Sequence, residues 1–256
     1  MDLVLVTGSS KGLGLAICKR LLKSNYKVVG IARTKSKEFE ELQKEYQEQL
    51  YYKEYDFNNL KDIQILVREI TKEYGNIYGL INNAALGHDG VLGTMHESQI
   101  SELIRVNVEA PILLTKYASR SMLMKLRGRV INIGSIIGST GFSGLSVYGA
   151  TKASMQGFTK SLSRELGKAN ITVNTVAPGY METAMTSGLQ GEKLASIKKR
   201  SPLGHLATVE DVANSIIFLL SDEAKNITGT TITVDAGSTA WVFCANYCQD
   251  IWDILQ

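Results

Sequence analysis

Short β-branched runs along the chain alternate with longer stretches in which apolar residues recur every three or four positions. The first pattern belongs to strands buried on both faces and the second to amphipathic helices. Leu3 to Thr7 is such a run, and beyond Gly8 the residues Leu13, Ala16, Ile17, Leu21 and Leu22 keep helical spacing. Further strands are predicted over Lys27 to Ala32, Tyr51 to Tyr55, Gly79 to Ile81, Arg129 to Ser135, Ile171 to Val176 and Thr231 to Val234. Helices are predicted over Glu38 to Gln49, Leu60 to Tyr74, Ser98 to Arg127, a segment holding Tyr148 and Lys152 that ends near Gly167, and Val209 to Leu220. Tyr180 to Leu206 contains helical pieces and no clear strand. Helices between successive strands imply an α/β fold, a doubly wound parallel sheet with right-handed crossovers. No repeat, low-complexity tract or linker interrupts it, so residues 1–240 are expected to form one domain. In the remaining stretch, 241–256, Trp241, Phe243, Ile251, Trp252 and Leu255 are too apolar for a free tail and are expected to cover a subunit interface or a pocket rim.

Composition narrows the class of protein. With 256 residues, 44% of them hydrophobic, a sizeable core can form. The 28 basic and 25 acidic residues leave a net charge of +3, too small a surplus to indicate nucleic-acid or membrane binding. Three cysteines cannot staple a domain of this size, which suits a reducing compartment, so a cytoplasmic location is expected. Met1 and Asp2 run directly into the first strand, and no signal peptide or membrane span is expected. Cys244 and Cys248 could share a helical face, but His88, His96 and His205 are scattered, so no metal site is expected.

Candidate chemistry begins at Thr7-Gly8-Ser9-Ser10-Lys11-Gly12-Leu13-Gly14. Between a strand and a helix, such glycines let the backbone turn tightly and approach a pyrophosphate, with helix N–H groups aimed at the anion. Its spacing differs from G-x-G-x-x-G, with three residues between the first two glycines. The second strand ends in Arg33, and no acid to bind a ribose 2′-hydroxyl occurs until Glu38. Arg33, with Lys11, can instead pair a 2′-phosphate, which predicts NADP(H); the alternative is that both are solvated loop charges. Asp56 and Phe57, at the end of the third strand, are candidate adenine contacts. Asn82-Asn83-Ala84-Ala85 would let the chain pass close to a cofactor ribose. Tyr148 and Lys152, four residues apart, share a helix face. An ammonium beside a phenol favours the phenolate, and the pair suits general acid–base work on an alcohol or carbonyl. Asn107 stands mid-helix, and Ser135 ends the fifth strand.

Taken in order, Thr7-Gly8-x-x-x-Gly12-x-Gly14, Asn82-Asn83-Ala84-Ala85, Asn107, Ser135, Tyr148-x-x-x-Lys152 and Pro178-Gly179-x-x-x-Thr183 resemble the short-chain dehydrogenase/reductase family, over Leu3 to Ala240. Gly128 to Ser135 and Val176 to Thr183 look most like the bacterial 3-oxoacyl-acyl-carrier-protein reductases of that family. The resemblance implies a Rossmann-type fold, a homotetramer and NADPH-dependent reduction of a ketone, most plausibly a 3-oxoacyl thioester. It makes Tyr148 the general acid, Ser135 a hydrogen-bond donor to the substrate oxygen, Lys152 the holder of the nicotinamide ribose, and Asn107 the anchor of a water. Gly8, Ser10, Lys11, Gly12, Leu13, Gly14, Arg33, Asp56, Phe57, Asn83, Ala84, Ala85, Tyr148, Lys152, Pro178, Gly179, Met181 and Thr183 would line the cofactor. Ala85 and Asp235-Ala236-Gly237 depart from the family's Asn-Asn-Ala-Gly and Asp-Gly-Gly. An acidic carrier protein would need basic side chains at the active-site mouth, for which Arg127, Arg129, Lys168 and Lys198-Lys199-Arg200 are candidates. Alternatives are a reductase or dehydrogenase of another ketone or alcohol (sugar, steroid, polyketide) and a non-catalytic nucleotide-binding regulator.

Overall fold

A computed structural model describes residues 1–181 and 192–240. Thr183 and the extension with its apolar residues and Cys244 and Cys248 lie outside the described residues. The elements run β1 (Leu3–Thr7), α1 (Gly12–Lys23), β2 (Lys27–Ala32), α2 (Lys37–Glu45), β3 (Leu50–Glu54), α3 (Ile63–Tyr74), β4 (Ile77–Asn82), α4 (Glu97–Ile104), α5 (Ala110–Lys125) and β5 (Gly128–Ile133). They continue as α6 (Ile137–Thr140), α7 (Ser146–Leu166), β6 (Ile171–Pro178), α8 (Glu192–Lys199), α9 (Val209–Leu220) and β7 (Thr231–Val234). All seven strands form one parallel sheet in the order β3-β2-β1-β4-β5-β6-β7. The order reverses at β1, which opens a crevice at the C-terminal ends of β1 and β4.

Side chains alternate across the sheet and both faces are covered. In β1, Val4 and Val6 join a core with residues of α1, α2 and α9, while Leu3 and Leu5 join a second core with residues of α3, α5 and α7. This double burial explains the uninterrupted apolar runs. Helix starts follow local chemistry. Ser36 accepts a hydrogen bond from the Phe39 N–H at 3.2 Å, so α2 starts one residue before the predicted Glu38. Thr208 and Asp211 cap α9 reciprocally.

The long helix predicted from Ser98 to Arg127 is two helices joined by a π-helical turn over Arg105–Glu109, with Asn107 at its middle. The apolar spacing runs through the junction, which is why the pattern did not separate them. The four-residue α6 was not legible either, having no periodicity to show.

Candidate active site

The glycine turn is built to bring backbone to a ligand. Gly8 and Gly12 have φ of +65° and +54°, conformations that L side chains rarely adopt. Gly14 has no room for a side chain, since a Cβ there would lie 2.1 Å from the Gly8 carbonyl oxygen. A Cβ on Gly12 would meet nothing within 4 Å, so the turn opens outward at that point. No side chain caps the N-terminus of α1, and its first-turn N–H groups remain available to an anion. The turn is braced from both sides. Thr7 Oγ1 accepts from the N–H groups of Asn83 and Ala84 at 2.9 and 2.8 Å, and the Asn83 amide donates to the Thr7 carbonyl at 2.8 Å. Ser10 donates to the Thr34 carbonyl, and Ser36 donates to the Ser10 carbonyl at 2.6 Å. Ser10 and Asn83 therefore shape the cradle with their side chains. Thr7 opened the sequence motif without a bracing role of its own, and Ser36 was not singled out, although a serine before a helix was a visible signal.

Arg33 and Lys11 are exposed beside the cradle, and among the described residues neither side chain makes a hydrogen bond or ion pair. Asp56 is exposed and accepts from the Asn58 N–H at 2.9 Å. The Phe57 ring is buried in the core against Tyr55, so an adenine contact at this position would fall to its backbone.

The reacting groups converge at the C-terminal ends of β5 and β6. A Cβ on Gly138 would lie 2.9 Å from the Ala153 nitrogen and 3.0 Å from the Lys152 carbonyl carbon. This contact seats α6 directly on the α7 backbone, bringing Ser135 to Tyr148 and Lys152. Gly138 was missed from sequence, having no motif around it. Ser135 Oγ accepts from the Ile137 N–H at 3.2 Å and acts on the Tyr148 phenol, which it lowers. Lys152, 5% exposed, donates to the Ile133 carbonyl at 2.9 Å, and its Nζ lies 5.6 Å from the centroid of the Tyr148 ring. Burial holds the Lys152 ammonium down to about 8. Burial also raises the Tyr148 phenol; the Ser135 hydrogen bond opposes that rise and the charge of Asp89 adds to it. Burial thus dominates at the phenol, which keeps its proton at neutral pH, and the pull of Lys152 toward phenolate stays an expectation.

Asn107, 3% exposed, is tied into the site through its amide. Oδ1 accepts from the Leu86 N–H at 2.8 Å, while Nδ2 donates to the Leu86 carbonyl at 2.9 Å and to Thr151 Oγ1 at 3.2 Å. Thr151 Oγ1 in turn donates to the Tyr148 carbonyl at 2.7 Å. Both amide hydrogens are used, so only the second lone pair of Oδ1 is left for the expected water.

Ala84 and Ala85 follow β4 at the crevice, Leu13 is the second residue of α1, and Gly179 donates its N–H to the Val234 carbonyl at 2.9 Å. Pro178 ends β6 and Met181 packs against the α1-side core. A Cβ on Gly179 would lie 2.6 Å from Asp235 Cβ. Asp235 accepts from the Gly237 N–H at 2.9 Å and the Thr239 N–H at 2.8 Å, fixing a turn in which Ala236 has φ of +54°. That residue stands where the family pattern has glycine.

Arg127, Arg129 and Lys168 are not at the active-site mouth. Arg129 begins β5, Arg127 precedes it, and Lys168 leads toward the start of β6, so all three lie at the N-terminal edge of the sheet, opposite Ser135. Arg129 is also buried, with its guanidinium 3.2 Å from Asp222 and 5.6 Å from the centre of the Tyr78 ring. Among the described residues no cluster of metal ligands occurs, and no helix is long and apolar enough to cross a membrane.

Residues 8–239 match a family described as Enoyl-(Acyl carrier protein) reductase. The chain is 36% identical to the 3-oxoacyl-(acyl-carrier-protein) reductase FabG of Vibrio cholerae, covering 91% of this chain and 95% of that protein. It is 38% identical to the same reductase of Haemophilus influenzae, over 92% and 97% of the two chains. It is 39% identical to carbonyl reductase family member 4 of Xenopus tropicalis, over 91% and 95%. A crystal structure of Cj0485 dehydrogenase superposes with a TM-score of 0.90 at 26% identity, over 96% and 97% of the two chains.

Proposed function

The chain belongs to the short-chain dehydrogenase/reductase family, oxidoreductases that use a nicotinamide cofactor, and from that premise we propose that it reduces the ketone of a 3-oxoacyl thioester, presented on an acyl carrier protein, with NADPH. The observation that carries this reading is the convergence of Ser135, Tyr148 and Lys152 beside a glycine cradle at one edge of the sheet. The thioester is favoured by the names of the bacterial relatives. NADPH over NADH is favoured by Arg33 and Lys11, both exposed beside the cradle and without a hydrogen bond or ion pair among the described residues. The cradle fits a dinucleotide because the uncapped N-terminus of α1 and the outward face of Gly12 suit a pyrophosphate.

When bound, the nicotinamide supplies the hydride. Tyr148 is the proton donor: its raised phenol remains protonated until the carbonyl oxygen gains charge, and its Oη then gives up the proton. Ser135 Oγ offers a second hydrogen bond to that oxygen, an interaction that strengthens as charge develops; one such donor is worth about 2.7–4 kcal/mol. Lys152 holds a positive charge next to the phenol through neutral pH and would hold the ribose. Lys198, Lys199 and Arg200, around the end of α8, remain as carrier-facing candidates. We place the enzyme in the cytoplasm as a homotetramer, in keeping with the family. With acetoacetyl thioester and NADPH, Tyr148→Phe is expected to lower kcat roughly 10²–10⁴-fold while leaving cofactor binding, read by NADPH fluorescence, within about threefold. Wild-type turnover in that variant would refute the proton-donor role.

A further inference from the structure

The segment after β4 runs from Asn107 to the start of α7, the helix that carries Tyr148, and is pinned along its length. At one end, both backbone groups of Leu86 are bonded by Asn107, whose amide also reaches Thr151, one turn beyond Tyr148. Midway, His88 Nε2 lies 3.0 Å from Glu102 of α4. At the other end, the Gly90 N–H donates to the Gly144 carbonyl at 2.9 Å, immediately before α7 begins. Residues 86–90 therefore span the first turn of α7, the turn that carries Tyr148. Asp89 lies between the last two pins. It is exposed, and among the described residues its carboxylate makes no hydrogen bond or ion pair. The carboxylate is therefore not tied to a neighbouring group among the described residues, on a segment that passes the turn carrying Tyr148.

We infer that Asp89 is a specificity-determining residue that repels anionic ketones from the Tyr148 site and so selects neutral carbonyl compounds, such as thioesters and esters, over free 3-oxo acids. A 3-oxoacyl thioester is neutral at the reacting end, whereas the acid released by its hydrolysis carries a carboxylate two bonds from the same ketone. Asp89 thus separates substrate from hydrolysis product by charge, a distinction that an apolar pocket makes poorly. The Asp89 charge also acts to raise the Tyr148 phenol, after burial.

The inference rests on the ketone-reducing reading, and its test separates the two. Acetoacetate and ethyl acetoacetate share one ketone and differ in charge. In Asp89→Asn, the ratio of kcat/KM for acetoacetate to that for ethyl acetoacetate is expected to rise roughly fivefold at low salt, as removal of one unit charge near the ketone implies. Asp89→Lys should raise it further. Added salt should lift the wild-type ratio and leave the Asn ratio nearly flat, because only the wild type has a repulsion to screen. Equal effects on both ketones, or a wild-type ratio indifferent to salt, would overturn the role of Asp89 while leaving reduction itself intact. A wild type inactive on both ketones would instead bring down the reductase reading and this inference with it.

Discussion

Lys152 sets stability against function at one side chain. An ordinary lysine titrates at 10.5, and burial brings this one to about 8. Between those values the unfolded chain holds a proton that the native site has released, so native stability rises with pH from 8 to 10.5 and the cost of burial is complete below 8. Lys152→Met is therefore expected to stabilise the fold at pH 7 by about 1–2 kcal/mol, after allowing for the Ile133 carbonyl left without its donor, while abolishing turnover. Urea unfolding at pH 7 and pH 9.5 checks both parts, since the gain must shrink at the higher pH. A variant less stable than wild type at pH 7 would show that the Ile133 bond, and not desolvation, dominates. Tyr148 shows the complementary case. Burial raises its phenol, which keeps the donor protonated at neutral pH while weakening it as an acid.

Between α4 and α5, the π turn turns Asn107 inward and makes it a tie between elements. Its amide joins the segment after β4 to α7, so the active-site loop and the helix bearing Tyr148 are held to one group. Asn107→Ala would leave the Leu86 N–H and carbonyl and the Thr151 hydroxyl short of partners. The expected loss is roughly 2–4 kcal/mol of unfolding free energy, with a larger fall in kcat than in cofactor affinity. Chemical denaturation alongside NADPH titration would detect either failure. Legibility in the sequence follows the same division between near and far. Strand and helix order could be read because alternating burial repeats along the chain, and Tyr148, Lys152 and the glycine cradle because their spacing is local. The π turn could not, since Val106 and Ala110 continue the apolar spacing across it. The burial of the Phe57 ring was not legible, because a strand end marks where a backbone lies and leaves open which way a ring turns. The Gly138 contact depends on two segments that meet only in three dimensions.

Across the whole molecule, the parallel sheet divides labour between its two edges. Every group placed in the chemistry lies after a strand's C-terminal end or on the helix beyond it, and the N-terminal edge carries a different construction. There Tyr26 stacks on Tyr78 at 6.3 Å, the Tyr78 hydroxyl donates to the Leu220 carbonyl at 2.6 Å, and Arg127 and Arg129 lie over the Tyr78 ring. Asp2 and Asp222 close the cluster against the arginines. These contacts join β1, β4, β5 and the end of α9, so the edge acts as a clasp on the fold. Basic residues beside β5 look in sequence like a landing site for an acidic partner, because strand polarity is invisible in composition. The structure reverses their meaning. Arg129→Glu would bury a carboxylate beside Asp222 and lose both the cation over Tyr78 and the ion pair, with an expected cost of about 3–5 kcal/mol. At temperatures where the variant remains folded, its KM values for carrier-bound and free thioesters should stay in the wild-type ratio. A selective rise in KM for the carrier-bound substrate at full stability would return Arg129 to the partner surface and contradict the division of the sheet argued from its geometry.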